Sequence, residues 1–361
     1  MNNISIRPAQ AGDYDAILGL TYEAFLTLDY PGRRRMDEHF LIHLLQGSAF
    51  VIAELCFVAE LYGEVVGHIL YTRSKILRAD GTETETITFG PLSVLPKFHR
   101  QGIGAALVAH SMRAAKALGF GAVLIVGVPA YYPKLGFRRA RECGVTLEDG
   151  SSPDELMVYE LSPEYLSGGG QVVFLPPEFA RAETDDAGYA AFHVQFMKER
   201  FEGQLVLRPF WEADIALMER WLFVPHVAKW YLHPADWLHE LKNRHGEFGF
   251  CKHFIVELAG MPIGFCQYYD CFAAQPYEVW NEAWRVDERQ GAVFSIDYLI
   301  GEPACLRKGY GKEIVRQLVE RIRALGARRI IVQPDGENVA SKGALEANGF
   351  RYVGEDFVKE L

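Results

Sequence analysis

The stretch Phe294–Gly311, FSIDYLIGEPACLRKGYG, decides the fold of this chain, because it joins a strand pattern to a basic, glycine-rich helix entry. Apolar residues alternate along its first half, which predicts a β-strand, and Asp297 is the one charged residue in that run. A carboxylate in mid-strand costs free energy unless it has a partner or a chemical task. Asp297 is therefore the first candidate for a catalytic residue.

The second half of the stretch is typical of an anion-binding helix N-terminus. Gly309 and Gly311 let the backbone approach a phosphate closely, and the free amides of a first helical turn face such an anion. The spacing excludes a P-loop, which needs GxxxxGK followed by Ser or Thr, and a dinucleotide fold, which needs a third glycine. Apolar residues then recur at helical spacing, at Ile314, Val315, Leu318, Val319 and Ile322.

An earlier copy of this stretch shows that the chain contains an internal repeat. Several landmarks recur at one separation of 207 residues, namely Pro96 with Pro303, Gly102 with Gly309, and Leu118 with Leu325. We therefore predict two α/β domains, at residues 1–180 and 204–361, with residues 181–203 as the connector and a strand at 172–175 that returns to the first domain.

Bulk properties limit the classes of protein and partner. The 361 residues are 49% hydrophobic and 23% charged, which is ordinary for a soluble globular protein. The net charge of -10 argues against a nucleic-acid backbone as the main partner and is compatible with cationic substrates. We expect a cytoplasmic protein with reduced thiols and no membrane segment. His39 and His43 have metal-ligand spacing, but the sequence does not place an Asp, Glu or Cys as their further ligand, so no metal site is predicted.

The order strand, GxG helix, strand, short helix and Gly–Phe pair resembles the acetyl-CoA-dependent GNAT acetyltransferases, in both halves. The first half is similar to bacterial members with GPL at 90–92, PAYY at 129–132 and PPEF at 176–179. The second is similar to aminoglycoside 6'-N-acetyltransferases, with GFCQYY at 264–269, IGEP at 300–303 and KGYG at 308–311. The resemblance implies the α/β (α+β) class, as two tandem GNAT folds, each a mixed, mainly antiparallel sheet flanked by helices.

The resemblance also implies a co-substrate, acetyl-CoA, and no metal. Its expected binding residues lie on the strand and helix entry of each half. In the first half they are Leu92, Val94, Arg100, Gln101, Gly102, Ile103 and Gly104. In the second half they are Leu299, Ile300, Arg307, Lys308, Gly309, Tyr310, Gly311, Lys312 and Asn338.

The residues that carry chemistry differ between the halves. Asp297 matches the Asp that the aminoglycoside enzymes use as base or amine-orienting group, whereas Gly90 is its counterpart and leaves Glu23 or Glu85 as alternatives. The family commonly places a Tyr four residues before the Gly–Phe pair to protonate the coenzyme thiolate. Tyr132 fits that position, but Leu345 occupies it in the second half, where water or Tyr298 is left to help. Structural roles for Asp297 and Tyr132 are the competing interpretations.

Trp280, Glu282 and Trp284 are the candidate substrate-binding residues, because indoles and a carboxylate suit a polycationic, sugar-like ligand. A solvated loop with packing tryptophans is the alternative. We expect an N-acetyltransferase acting on a primary amine of an amino-sugar or polyamine-like substrate. An acyl-CoA-binding sensor or scaffold and a protein N-acetyltransferase remain open, as does a homodimer. Residues 351–360 have room for one strand, where the family usually has two.

Overall fold

The computed structural model describes residues 4–26, 28, 31–168, 170–276 and 289–361. The chain divides into two compact units. The first comprises Met1–Leu26 and Met36–Tyr189, and the second comprises Thr27–Arg35 and Ala190–Leu361. Residues 31–35 contact the second unit, since the amide of Ala213 donates to the Arg34 carbonyl at 3.1 Å.

The first unit is built from alternating apolar strands separated by glycine turns. Its strands are β1 (Ser5–Pro8), β2 (Phe57–Leu61), β3 (Glu64–Leu77), β4 (Glu83–Val94), β5 (Ala122–Val126), β6 (Arg138–Arg139), β7 (Val145–Thr146), β8 (Leu156–Glu160) and β9 (Gln171–Phe174). Its helices are α1 (Tyr14–Leu26), α2 (Glu38–Leu45), α3 (Ile103–Ala117) and α4 (Pro177–Thr184), while α5 (Asp186–Arg200) contains the boundary between the units.

The sheet of the first unit runs in the order β1-β2-β3-β4-β5-β8-β6, and β9 pairs with β3 and β7. Strands β4 and β5 are parallel and pair at one position only, Ile87 with Val123. The predicted return strand at 172–175 is confirmed, since β9 pairs antiparallel with β3. Helix α3 packs its apolar side on this sheet, with Ile103 and Leu107 among the core residues.

The second unit repeats this plan. Its strands are β10 (Leu205–Pro209), β11 (Cys251–Leu258), β12 (Met261–Asp270), β13 (Val293–Ile300), β14 (Arg329–Val332), β15 (Arg351–Val353) and β16 (Asp356–Glu360). Its helices are α6 (Ile215–Leu222), α7 (Pro225–Ala228), α8 (Pro234–Lys242), α9 (Cys271–Ala274), α10 (Tyr310–Ala324) and α11 (Val339–Ala347).

The second sheet has the order β10-β11-β12-β13-β14-β16-β15, and its one parallel pair in the described register is β13 with β14. The predicted class, a mixed and mainly antiparallel sheet flanked by helices, is confirmed in both units. All five apolar residues predicted for α10 are buried. The prediction of one strand after Phe350 is wrong, because Gly354, at a φ of +67°, turns the chain into the β15–β16 hairpin.

Candidate active site

The N-terminus of α10 has the geometry of an anion cradle. Gly309 has a φ of +83° and Arg307 a φ of +60°, so the chain turns sharply before the helix begins at Tyr310. Arg307, Lys308 and Gly309 are exposed, which leaves the first helical amides and two cationic side chains facing outward. The first unit has the same backbone, with Arg100 at +60° and Gly102 at +83°.

A cavity of about 550 Å³ lies against this helix entry in the second unit. It brings together eight of the nine predicted cofactor residues, since Leu299, Ile300, Arg307, Gly309, Tyr310, Gly311, Lys312 and Asn338 line it and Lys308 does not. The side chain of Asn338 is used inside the protein, where it caps α11 by accepting from the Ser341 amide at 3.1 Å. Sequence reasoning missed further lining residues, among them His226, Trp230 and Tyr231.

The cavity lies against the C-terminal end of β13, where Tyr298, Leu299 and Ile300 line it. Strand β13 pairs with β14 only at Val293 and Phe294, and the edge of β13 beyond those residues has no β14 partner in the described register. His226 reaches this edge, where Nε2 lies 2.9 Å from the Ile300 carbonyl. Backbone groups on such an edge need partners, so an extended amide-bearing ligand fits here.

The face of β13 opposite α10 carries a row of polar side chains. Asp297 pairs with Gln267 on β12, which pairs in turn with His253 on β11. Gln267 donates from Nε2 to Asp297 Oδ2 at 3.0 Å, and its Oε1 is a buried acceptor with no partner in the described structure. Glu240 of α8 lies above this row, with Oε1 at 2.9 Å from His253 Nε2.

The residue Asp297 is partly exposed, but the surroundings of its carboxylate disfavour a negative charge. Burial of its carboxylate and the nearby charge of Glu240 raise its pKa to about 7, although the hydrogen bond from Gln267 opposes this. Asp297 does not line the cavity. Tyr231 lies between the cavity and Asp297. It lines the cavity, and burial, together with the charge of Asp297, raises the pKa of its phenol.

Tyr298 lies on the other face of β13, inside the cavity. Its hydroxyl is 3.0 Å from the Ser341 Oγ and donates to the Ser341 carbonyl at 3.3 Å. Burial raises the pKa of the Tyr298 phenol above its ordinary value, which favours the protonated form. Leu345, one helical turn beyond Ser341, is fully buried in the core of the second unit.

The first unit presents a different set of side chains. Leu92, Val94 and Tyr131 converge on Gly104, where a Cβ would lie 3.1 Å from the Tyr131 hydroxyl, so only glycine fits easily. Tyr132 packs its ring 5.8 Å from that of Phe89, and burial raises the pKa of its phenol.

At the position that corresponds to Asp297, a Cβ on Gly90 would meet the ring of Phe179 at 3.6 Å. Glu85 is paired with Arg73, and Glu23 is exposed.

The predicted substrate residues Trp280, Glu282 and Trp284 lie outside the described residues. None of the helices in the described ranges is both long and apolar enough to cross a bilayer. The cradle, the cavity and the free strand edge together fit acetyl-CoA, because they offer cations and amides for its phosphates and backbone groups for its amide-bearing arm.

Comparison with known proteins agrees with this geometry. A model described as an acetyltransferase (GNAT) domain matches residues 211–356, and a model of the acetyltransferase (GNAT) family matches residues 22–137. The chain is 24% identical over 161 residues to the uncharacterized N-acetyltransferase YhbS of Escherichia coli strain K12, covering 45% of this chain and 87% of that protein. It is 26% identical over 157 residues to an aminoglycoside N(6')-acetyltransferase type 1 of Klebsiella pneumoniae, covering 42% and 75%.

Two solved structures are similar to parts of the chain. The E. coli YhbS structure in complex with CoA aligns with a TM-score of 0.43 at 23% identity, over 50% of this chain and 94% of that one. The aminoglycoside acetyltransferase AAC(6')-Ib in complex with coenzyme A aligns with a TM-score of 0.37 at 24% identity, over 44% and 95%. Matches to both halves and two sheets of one plan show that this chain is a GNAT acetyltransferase with two GNAT domains in tandem, a family whose co-substrate is acetyl-CoA.

Proposed function

We propose that the second unit transfers an acetyl group from acetyl-CoA to a primary amine of a small cationic substrate, with Asp297 as the base or amine-orienting group. The observation that carries this proposal is Asp297 itself, a carboxylate whose pKa lies at about 7 beside a cofactor-sized cavity. A base titrating near neutral pH is well matched to deprotonating an ammonium group under physiological conditions. The first unit has Gly90 at the corresponding position.

The residues of the second unit divide the work. The amides of the α10 N-terminus, with Arg307 and Lys312, hold the phosphates of the co-substrate. When bound, acetyl-CoA supplies the activated acetyl thioester. Gln267 fixes the Asp297 carboxylate through Oδ2, which leaves the other oxygen to accept a proton from the amine.

Tyr298 is the proposed donor to the sulfur that leaves. A helical side chain covers the turn N-terminal to its own Cα, so a Tyr at position 345 would project toward Ser341. The Tyr298 hydroxyl lies at Ser341, and it therefore occupies the region that the missing side chain would cover. A thiol has a pKa of about 8.5, and burial raises the pKa of the Tyr298 phenol further above that range, so Tyr298 donates a hydrogen bond to the thiolate.

The substrate class rests on charge and on the relatives. The chain has a net charge of -10, and Glu240 adds a second carboxylate near Asp297. The K. pneumoniae relative is named for acetylation of aminoglycosides, which are polycationic amines. We propose the cytoplasm as the compartment, in keeping with six cysteines that form no disulfide.

Substitution of Asp297 by Asn tests the proposal. A panel of aminoglycosides, polyamines and amino acids is assayed with acetyl-CoA by thiol release, and the variant is compared on the best substrate. We expect turnover to fall on the order of 100-fold or more. Asp236→Asn, an exposed acid on α8, is the matched control and should keep full activity. Full turnover by Asp297→Asn would remove Asp297 from the mechanism.

The first unit has a second candidate function, the binding of acyl-CoA without turnover. It keeps the cradle but carries Gly90, with Phe179 beside it, where the second unit has Asp297. Calorimetry with CoA tests this candidate, and we expect two sites per chain of which only the second supports acetylation. Amine acetylation that is lost in Tyr132→Phe and kept in Asp297→Asn would instead make the first unit the enzyme.

A further inference from the structure

Outside the cofactor cavity, three side chains of different ligand type meet in the second unit. Cys251 and His253 are two residues apart on β11, so strand alternation points both to one face of the sheet. Glu240 comes to them from α8, eleven residues earlier in the chain. Their ligand atoms, one sulfur, one imidazole nitrogen and one carboxylate oxygen, all lie within 4.8 Å of one another.

The distances are close to those of a metal site. Ligand atoms of a tetrahedral zinc site, with bonds of about 2.0–2.3 Å, lie about 3–4 Å apart. His253 Nε2 and Glu240 Oε1 are already 2.9 Å apart and share a proton. A cation that replaced this proton would need only small movements of the two side chains. The thiol of Cys251 would lose its proton when the ion binds.

The burial and chemistry of the three groups suit a bound cation. Cys251 and His253 are 4% and 6% exposed, whereas Glu240 is partly exposed and leaves one side open. A thiolate and a carboxylate together would balance the charge of a divalent cation. Sulfur, nitrogen and oxygen in one set are typical of Zn²⁺ or Co²⁺, and hard cations such as Mg²⁺ prefer oxygen alone.

We propose that Glu240, Cys251 and His253 form a binding site for a divalent transition-metal ion, Zn²⁺ by preference, with the fourth position open to water. The site lies next to the row of polar side chains that includes Asp297, because His253 pairs with Gln267 and Gln267 donates a hydrogen bond to Asp297. Occupation would neutralise Glu240, whose charge reaches Asp297. The inference does not depend on the proposed acetylation of a cationic amine.

Cobalt titration of the full chain, freed of metal and without an affinity tag, tests the site. Co²⁺ bound by a thiolate gives an intense near-ultraviolet charge-transfer band that histidine and carboxylate ligands do not give. We expect this band to saturate at one ion per chain and to disappear on addition of Zn²⁺, the tighter-binding ion. A chain without a saturable thiolate band would overturn the proposal.

Matched variants assign the ligands. Cys251→Ser should lose the charge-transfer band, while Cys271→Ser, which removes a thiol of equal burial from the same apolar cluster, should keep it. Glu240→Gln, on a partly exposed helix position, should weaken Co²⁺ binding by about tenfold or more. Circular dichroism checks that each variant is folded. A band that survives in Cys251→Ser, or an affinity that Glu240→Gln leaves unchanged, would show that the metal binds elsewhere.

Discussion

The two units of this chain share a cofactor cradle and differ in the groups beside it. Arg100 and Arg307 have the same φ, as do Gly102 and Gly309, although the side chains around them differ. The first unit has Tyr132 before its Gly–Phe pair and no carboxylate at position 90, and the second has Asp297 with Leu345. Under the proposed function, binding of acyl-CoA depends on the shared backbone, whereas acetyl transfer depends on Asp297, which the first unit lacks.

A shared pattern in different surroundings is also seen in an ion-pair network of each unit, in which one arginine binds two carboxylates. Arg7 binds Asp13 and Glu60 in the first unit, and Arg208 binds Asp214 and Glu257 in the second, with matching geometry. The second set is 2–7% exposed and includes His193 on Glu257, whereas the first is 12–31% exposed. One sequence pattern is therefore worth different amounts of stability in the two settings.

The largest effect, a change in the free energy of unfolding, is expected when the central arginine of each ion-pair network is replaced. Arg208→Met leaves two carboxylates buried without their cation and should destabilise the second unit by about 3–5 kcal/mol. Arg7→Met should cost the first unit about 1 kcal/mol or less, because water screens and solvates its partners. All six tryptophans lie at 211–284, so tryptophan fluorescence follows the urea unfolding of the second unit, and far-ultraviolet circular dichroism of the same samples follows both units and gives the loss in the first. Equal losses would contradict the contrast in burial.

Acid should act on the same network. Burial raises the pKa of Glu257, but the charges of Arg208 and His193 outweigh it and hold the pKa at about 2. This contribution is complete above the unfolded pKa of about 4.3 and is lost as the pH falls toward 2. Tryptophan fluorescence in an acid titration should show the second unit losing stability over this window, and a flat stability there would contradict the ion pairing.

Removal of a single hydroxyl from each unit tests where the sulfur is stabilised. Tyr298→Phe should lower turnover on the order of 10- to 100-fold, and Tyr132→Phe should leave it unchanged. The affinities of CoA and of its desulfo analogue give a readout without turnover. Above the pKa of the thiol, Tyr298→Phe should remove the preference for CoA, because that preference depends on the hydrogen bond to the thiolate. An undiminished preference would mean that Tyr298 does not contact the sulfur.

Identical changes in the two cradles should separate binding from turnover. Gly102→Ala and Gly309→Ala each force a side chain into a left-handed backbone, and neither added Cβ meets an atom within 4 Å. Each variant should therefore cost its own unit about 1–2 kcal/mol. Only Gly309→Ala should raise the KM for acetyl-CoA in amine acetylation. A raised KM in Gly102→Ala would show that the first cradle takes part.

The smallest expected effect is a pair of opposite shifts in the pH profile. In the proposed mechanism Asp297 acts as a base when ionised, so turnover should rise as the pH passes through about 7. Glu240→Gln removes a negative charge that faces Asp297 and should move this limb to lower pH, by less than about one unit. The other titratable groups near Asp297, His253 and Tyr231, are unchanged in this variant.

Gln267→Leu removes a hydrogen bond that favours the ionised carboxylate, and it should move the same limb to higher pH. The assays are run with a chelator to keep metal from Glu240. If the rise of turnover with pH shifted in the same direction in both variants, or if turnover did not rise near pH 7 at all, the rate would not depend on the ionisation of Asp297.

Sequence patterns predicted the elements whose signals are local. The strand around Asp297, the helix with its five buried apolar residues and the two glycine-rich entries follow from side-chain periodicity and from the conformational freedom of glycine. The hairpin of β15 and β16 was missed, since strands of three and five residues carry too few alternations to count. The cluster of Glu240, Cys251 and His253 was missed because its ligands come from a helix and a strand.

The sequence by itself determined that two related units are present, that both carry the cradle and that Asp297 stands in only one. These are facts of residue type and spacing, and local backbone physics converts them directly into structure. Tertiary structure decided the rest. Burial and the charge of Glu240 on α8 raised the pKa of Asp297, and packing against α11 placed the hydroxyl of Tyr298 beside Ser341. Burial and distance depend on contacts between residues far apart in the chain, which spacing does not encode.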